Sequence, residues 1–99
     1  MDIEISKRSG GEKEKIKTPM IFFASNLTAY RKSKGWTQEL FAFKISIQAK
    51  RIISSARYQN WELDRAEPEF EILIIICEIL EIDDLYLFLR KDLSTKFIH

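Results

Sequence analysis

Apolar residues recur at helical spacing through most of the chain after residue 20. Phe23, Leu27 and Tyr30 share one stripe and predict a first helix from about Ile21 to Ser33. Lys32 and Lys34 lie near its C-terminal end, where cations complement the helix dipole, and Gly35 supplies a stop. Thr37 is a good N-cap for a second helix, whose pattern continues through Leu40, Phe41, Lys44 and Ile45. The end of that helix is open. Lys44 to Ile53 holds neither Gly nor Pro, so either the helix runs on or a loop intervenes.

Ser54 is again an N-cap residue and predicts a third helix ending near Leu63. Tyr58 and Trp61, three apart, face the core in that helix and leave Arg57, Gln59 and Asn60 outward. Asp64 to Pro68 reads as a polar connector, and Pro68 suits a helix start because its missing N–H costs nothing there. A fourth helix covers about Glu69 to Leu80, with Phe70, Leu73, Ile74, Cys77 and Leu80 expected inward. A short fifth helix starts at Asp83 or Asp84 and carries Leu85, Phe88 and Leu89. The fourth helix has more aliphatic residues than one buried face uses. Ile75, Ile76, Ile79 and Ile82, with Tyr86 and Leu87, are therefore expected to be exposed as a partner surface.

Strand-like alternation is scarce, and the 99 residues include only three Gly and two Pro. The expected class is all-α, with room for one domain at most. Residues 1–19 are expected to form a flexible charged arm, 20–90 the folded domain and 91–99 a C-terminal tail. Lys7, Arg8, Lys13, Lys15 and Lys17 put cations on the arm, although such segments are more often merely solvated. A lone cysteine, Cys77, cannot build a disulfide framework and points to a reducing compartment. No apolar stretch of signal-peptide type opens the chain, and the aliphatic run Ile72–Ile76 is far shorter than the ~20 residues of a membrane span. A cytoplasmic protein with no membrane partner is expected.

Net charge is only +1, but its distribution is uneven. Residues 1–60 carry 12 Lys/Arg against 5 Asp/Glu, and residues 61–99 carry 4 against 10. One half can face a polyanion while the other stays clear of it, although short chains also acquire such asymmetry by chance.

Enzyme chemistry has little to stand on. His99 is the only histidine and the last residue, so no His-based triad or multi-His metal site is available. Cys77 falls on the apolar side of a helix, where a cysteine is ordinarily a core residue. Glu67, Glu69, Glu71, Glu78, Asp83 and Asp84 lack calcium-loop spacing and read as a solvated face. There is no Gly-rich phosphate loop. No catalytic residue, metal or cofactor is expected.

The order of features becomes specific at Asn26-Leu27, Arg31 and Gly35-Trp36-Thr37-Gln38. This run resembles the opening of the lambda-repressor/Cro superfamily, also called the xenobiotic-response-element (XRE) family. Trp61-Glu62-Leu63-Asp64-Arg65-Ala66-Glu67-Pro68 resembles that family's exit from its recognition helix. Glu81-Ile82-Asp83-Asp84-Leu85 resembles the start of its fifth helix. The resemblance covers about residues 22–90 and departs from the pattern twice. Thr37 and Trp61 stand further apart than family members usually have them, which implies a lengthened connection between the second and third helices around Ser46 to Ile53. Asp64 stands where the family usually has a left-handed Gly, a conformation that Asp tolerates better than most residues.

The resemblance implies a five-helix, lambda-repressor-like fold that binds double-stranded DNA through its third helix. Ser55, Ala56, Arg57, Gln59 and Asn60 would be its base contacts. An Arg57 fork fits guanine O6 and N7, and an Asn60 amide fits adenine N6 and N7. Gln38, Arg31, Lys32, Lys34, Lys44, Lys50 and Arg51 would contact phosphates. Arg31 and Glu62 would form a structural pair. The expected function is a sequence-specific transcriptional regulator, a repressor, dimeric through the fourth and fifth helices and the tail. The competing expectation is a protein-binding module on the same fold, such as an antitoxin or adaptor with little DNA binding.

Overall fold

A computed structural model describes residues 20–97. The arm 1–19 and the last two residues lie outside the described residues. Five α-helices follow in order: α1 Phe23–Ser33, α2 Gln38–Ala49, α3 Ser55–Glu62, α4 Phe70–Leu80 and α5 Leu85–Arg90. A 3₁₀ turn, Ser94–Phe97, closes the described chain, and no strand occurs in it.

One core joins all five helices. Phe23, Leu27 and Tyr30 of α1 meet Phe41, Ala42 and Ile45 of α2 and Tyr58 and Trp61 of α3. Ile72, Leu73, Ile76, Cys77 and Leu80 of α4, with Phe88 of α5, complete it. Burial also acts on the Cys77 thiol, pushing its pKa up to about 11 with help from the Glu78 charge.

The helix boundaries have local causes. Thr37 accepts the Leu40 N–H at 3.0 Å and so starts α2. α2 does run on, to Ala49, so Ser46 to Ala49 are helical and only residues 50–54 separate α2 from α3. Lys50 then ends it in a left-handed conformation at φ 59°. Asp64 at φ 61° and Glu81 at φ 59° close α3 and α4 in the same way. Arg65 N–H reaches back to the Asn60 carbonyl at 2.9 Å, a Schellman-type closure of α3.

Several expectations fail on α4. Phe70 was expected inward and is 68% exposed, while Ile76, expected on a partner surface, is fully buried. Ile74 is only half-buried. Glu71 and Glu78, one heptad apart, mark the solvent side of this helix. The side opposite them carries Leu73, Ile76 and Leu80, flanked by Ile72 and Cys77. Ile75, Ile79 and Ile82 are half-buried against the core, and Tyr86 and Leu87 are exposed. The first helix also begins two residues later than expected, leaving Ile21 exposed.

The residues after α5, expected to form a tail, instead fold back on α1. Phe97 packs edge-on against Tyr30 with ring centroids 4.9 Å apart, and Lys96 Nζ donates to the Tyr30 hydroxyl at 3.0 Å. Asn26, fully buried on α1, ties the segment down. Its Nδ2 donates to the carbonyls of Phe88 and Lys91 at 2.8 and 2.7 Å, and its Oδ1 accepts the Leu93 N–H at 2.8 Å.

Candidate nucleic-acid interface

α2 and α3 form a rigid angle. Ser46, late in α2, accepts the Ile53 N–H at 2.8 Å while donating to the Ala42 carbonyl at 2.8 Å. Ile53 itself is buried and plugs the corner. Ser54 then caps α3 by accepting the Arg57 N–H at 3.0 Å. Five residues, 50–54, thus carry the chain between the helices without leaving their relation loose. A relay of rings continues the corner inward. Trp36 packs on Phe41 at 5.3 Å, Phe41 on Tyr58 at 5.3 Å and Tyr58 on Trp61 at 5.8 Å.

Glu62, the last residue of α3, is the hub that fixes this helix to α1 and α2. One of its oxygens accepts Arg31 Nε at 2.6 Å and also the Tyr58 hydroxyl. The other accepts Arg31 Nη2 at 3.1 Å and Gln38 Nε2 at 3.0 Å. Arg31 spends a further N–H on the Trp36 carbonyl at 2.8 Å. Burial works to raise the Glu62 pKa, but the bonds from Arg31, Tyr58 and Gln38 outweigh it and hold the carboxyl below the usual range. Burial, together with the Glu62 bond and charge, pushes the Tyr58 phenol far above its ordinary value, so it remains a neutral donor. The Glu62 bond likewise raises the Arg31 pKa against the effect of burial.

The buried faces of Tyr58 and Trp61 set the rotation of α3. Ala56 and Arg57 are exposed, and Ser55, Gln59 and Asn60 are half-exposed. Gln59 and Asn60 have no side-chain partner among the described residues. Arg57 lies over the Trp61 ring, 5.7 Å from its centroid, and Nη2 donates to Glu69 Oε1 at 3.0 Å.

The candidate phosphate contacts sort into groups. Arg31 and Gln38 converge on Glu62. Lys44 and Lys34 both approach the Trp36 ring, at 4.8 and 5.9 Å from its centroid. Arg51 is brought beside Arg57, because its Nη2 reaches the same Glu69 oxygen at 2.8 Å. Lys32 and Lys50 are exposed with no partner among the described residues.

Several residues of this region carried no signal that singled them out in the sequence. Trp36 occupies an ordinary apolar position of the pattern, yet it is the surface on which two lysines rest. Ser46 looks like an isolated polar residue in a helix, and Glu69 like one carboxylate of a solvated face. An apolar stripe of Leu40, Phe43 and Ile47 runs along the outside of α2, with Ile52 beyond it at 89% exposure. Its i, i+3, i+7 spacing was the available sign.

Among the described residues, no three His, Cys, Asp or Glu side chains gather as a metal site. No described helix is long and apolar enough to cross a membrane.

A family model described as Helix-turn-helix matches residues 27–87, more than half of the chain and all of α2 to α4. No curated protein and no solved structure matches the chain.

Proposed function

We propose a sequence-reading role on one premise: this chain belongs to the XRE-type helix-turn-helix family, a family of DNA-binding regulators. The proposed reading is a transcriptional repressor that lays α3 in the major groove. Ser55, Ala56, Arg57, Gln59 and Asn60 face base edges. Gln38, Arg31, Lys32, Lys34, Lys44, Lys50 and Arg51 hold the phosphates on either side. The positive end of α2 beside Gln38 favours the same anions.

One observation carries this reading. Trp61 and Tyr58 bury one side of α3 while Glu62 is tied down by three donors, so the opposite side is presented as a fixed polar row. A row held in this way loses little conformational freedom when it meets its target, which favours discrimination over adhesion.

The chain is further proposed to act as a homodimer on a two-fold site, with half-sites about 34 Å apart. Exposed Tyr86 and Leu87 of α5 are the proposed centre of that contact.

Selection of bound sequences from random duplexes, followed by salt titration, tests the reading. The expected outcome is an enriched two-fold motif and a slope of log affinity on log salt that steepens by about 0.9 per phosphate contact. Absence of binding at low salt would instead indicate a protein-binding module.

A further inference from the structure

Glu69 sits at the N-cap of α4, yet its side chain does not cap that helix. It turns to the cations of the preceding elements instead. A single oxygen, Oε1, accepts Arg51 Nη2 at 2.8 Å and Arg57 Nη2 at 3.0 Å. Glu71 adds a looser contact to Arg51, with Oε2 at 3.6 Å. Two guanidinium groups of like charge are thereby drawn to one carboxylate from two elements, the corner after α2 and the first turn of α3.

The chemistry of this arrangement matches that of a nucleic-acid contact. A guanidinium satisfied by carboxylate oxygens presents the same fork to a phosphate or to the O6/N7 edge of guanine. All the groups involved are substantially exposed. Arg51 and Arg57 retain 39% and 42% of their side-chain surface, and Glu69 retains 52%. Each bond is therefore weak enough to exchange in water. Arg57 also rests on the Trp61 ring, so the exchange needs only a swing of its outer atoms.

We propose that Glu69 is a built-in competitor for DNA, whose carboxylate occupies Arg51 and Arg57 in the free protein and is displaced when they engage the duplex. This inference rests on the DNA-reading function proposed above. Glu69 touches no base in this scheme. It sets the affinity of the site by acting through the two arginines, and its own charge, left beside the DNA backbone after displacement, adds to the cost.

Four proteins test it: the full chain, Glu69→Gln, Arg51→Ala/Arg57→Ala, and the triple variant. Each is titrated by anisotropy into a labelled mixed-sequence duplex at low and moderate salt, with melting curves to check folding. The amide keeps the shape of the side chain and removes the charge. Glu69→Gln is expected to bind roughly three- to tenfold more tightly, the scale of two exposed ion pairs. In the Arg51→Ala/Arg57→Ala background the same change is expected to give at most a small residual gain.

An equal gain in both backgrounds would reduce Glu69 to a generic negative charge and overturn the proposal. Unchanged or weaker binding by Glu69→Gln, beside a full chain that binds, would also overturn it, while leaving the DNA reading intact. Absence of binding by all four proteins would remove the DNA reading, and this competitor with it.

Discussion

Asn26 and Leu93 stand 67 positions apart in sequence, and the side-chain oxygen of the first accepts the backbone N–H of the second at 2.8 Å. The same amide donates to two carbonyls at the end of α5. A fully buried polar side chain is therefore used to hold the C-terminal segment on α1. Asn26→Leu removes one acceptor and two donors while leaving the three backbone groups in place. Each unsatisfied group costs about 1–3 kcal/mol, so a loss of about 3 kcal/mol or more is expected in urea unfolding. A stability loss under 1 kcal/mol would show that this clamp does not hold the fold.

Glu62 makes stability depend on acid. Its folded-state pKa is depressed, so its contribution is fully present above the unfolded value of about 4.3. The contribution is lost as the pH falls through the lower, folded value. Urea midpoints measured from pH 7 down to pH 3 should decline more steeply for the natural chain than for Glu62→Gln, which has no charge to lose. At pH 7, Glu62→Ala is expected to cost about 3 kcal/mol, because Arg31 is left partly buried without its partner.

Lys50 offers a gain. It holds φ 59°, which costs a side-chain-bearing residue about 1–2 kcal/mol. Lys50→Gly relieves that strain but loosens the unfolded chain by about 0.4–1 kcal/mol. A net stabilisation of about 0.5–1 kcal/mol is expected from thermal melts. If the Lys50 ammonium also touches a phosphate, the salt slope of DNA binding should become shallower by about 0.9.

Asn60 has no side-chain partner in the free protein among the described residues, so replacing it should leave folding untouched. Asn60→Ala is expected to keep the melting temperature and to lose about 1–3 kcal/mol of discrimination at one position of a selected site. An equal loss on all sequences would assign Asn60 to the backbone rather than to a base.

Much of this molecule was legible in its sequence, for identifiable reasons. The stripe Phe23, Leu27, Tyr30 and the caps Thr37 and Ser54 are local signals, and local signals fixed α1 to α3. The α4 run was harder. Five successive aliphatic residues, Ile72–Ile76, carry almost no contrast, so periodicity places Leu73, Cys77 and Leu80 inside correctly but turns the buried face too far toward Phe70 and Ile74 and leaves out Ile72 and Ile76. Only the paired glutamates at 71 and 78 mark the true orientation. Asn26 stands out in sequence only through the family pattern, because its partners lie more than sixty residues away. The hidden parts of the candidate interface are of the same kind. Glu69 acquires meaning only when folding brings Arg51 and Arg57 to it.

Cys77 is only 6% exposed, and burial with the neighbouring Glu78 charge pushes its thiol pKa up to about 11. Alkylating reagents attack the thiolate, so the native chain is shielded twice, by access and by ionisation. Modification at neutral pH then proceeds only through molecules that have opened at α4. The rate of iodoacetamide uptake becomes a clock for transient opening of the core, and duplex DNA that grips the folded form should slow that clock as its concentration rises.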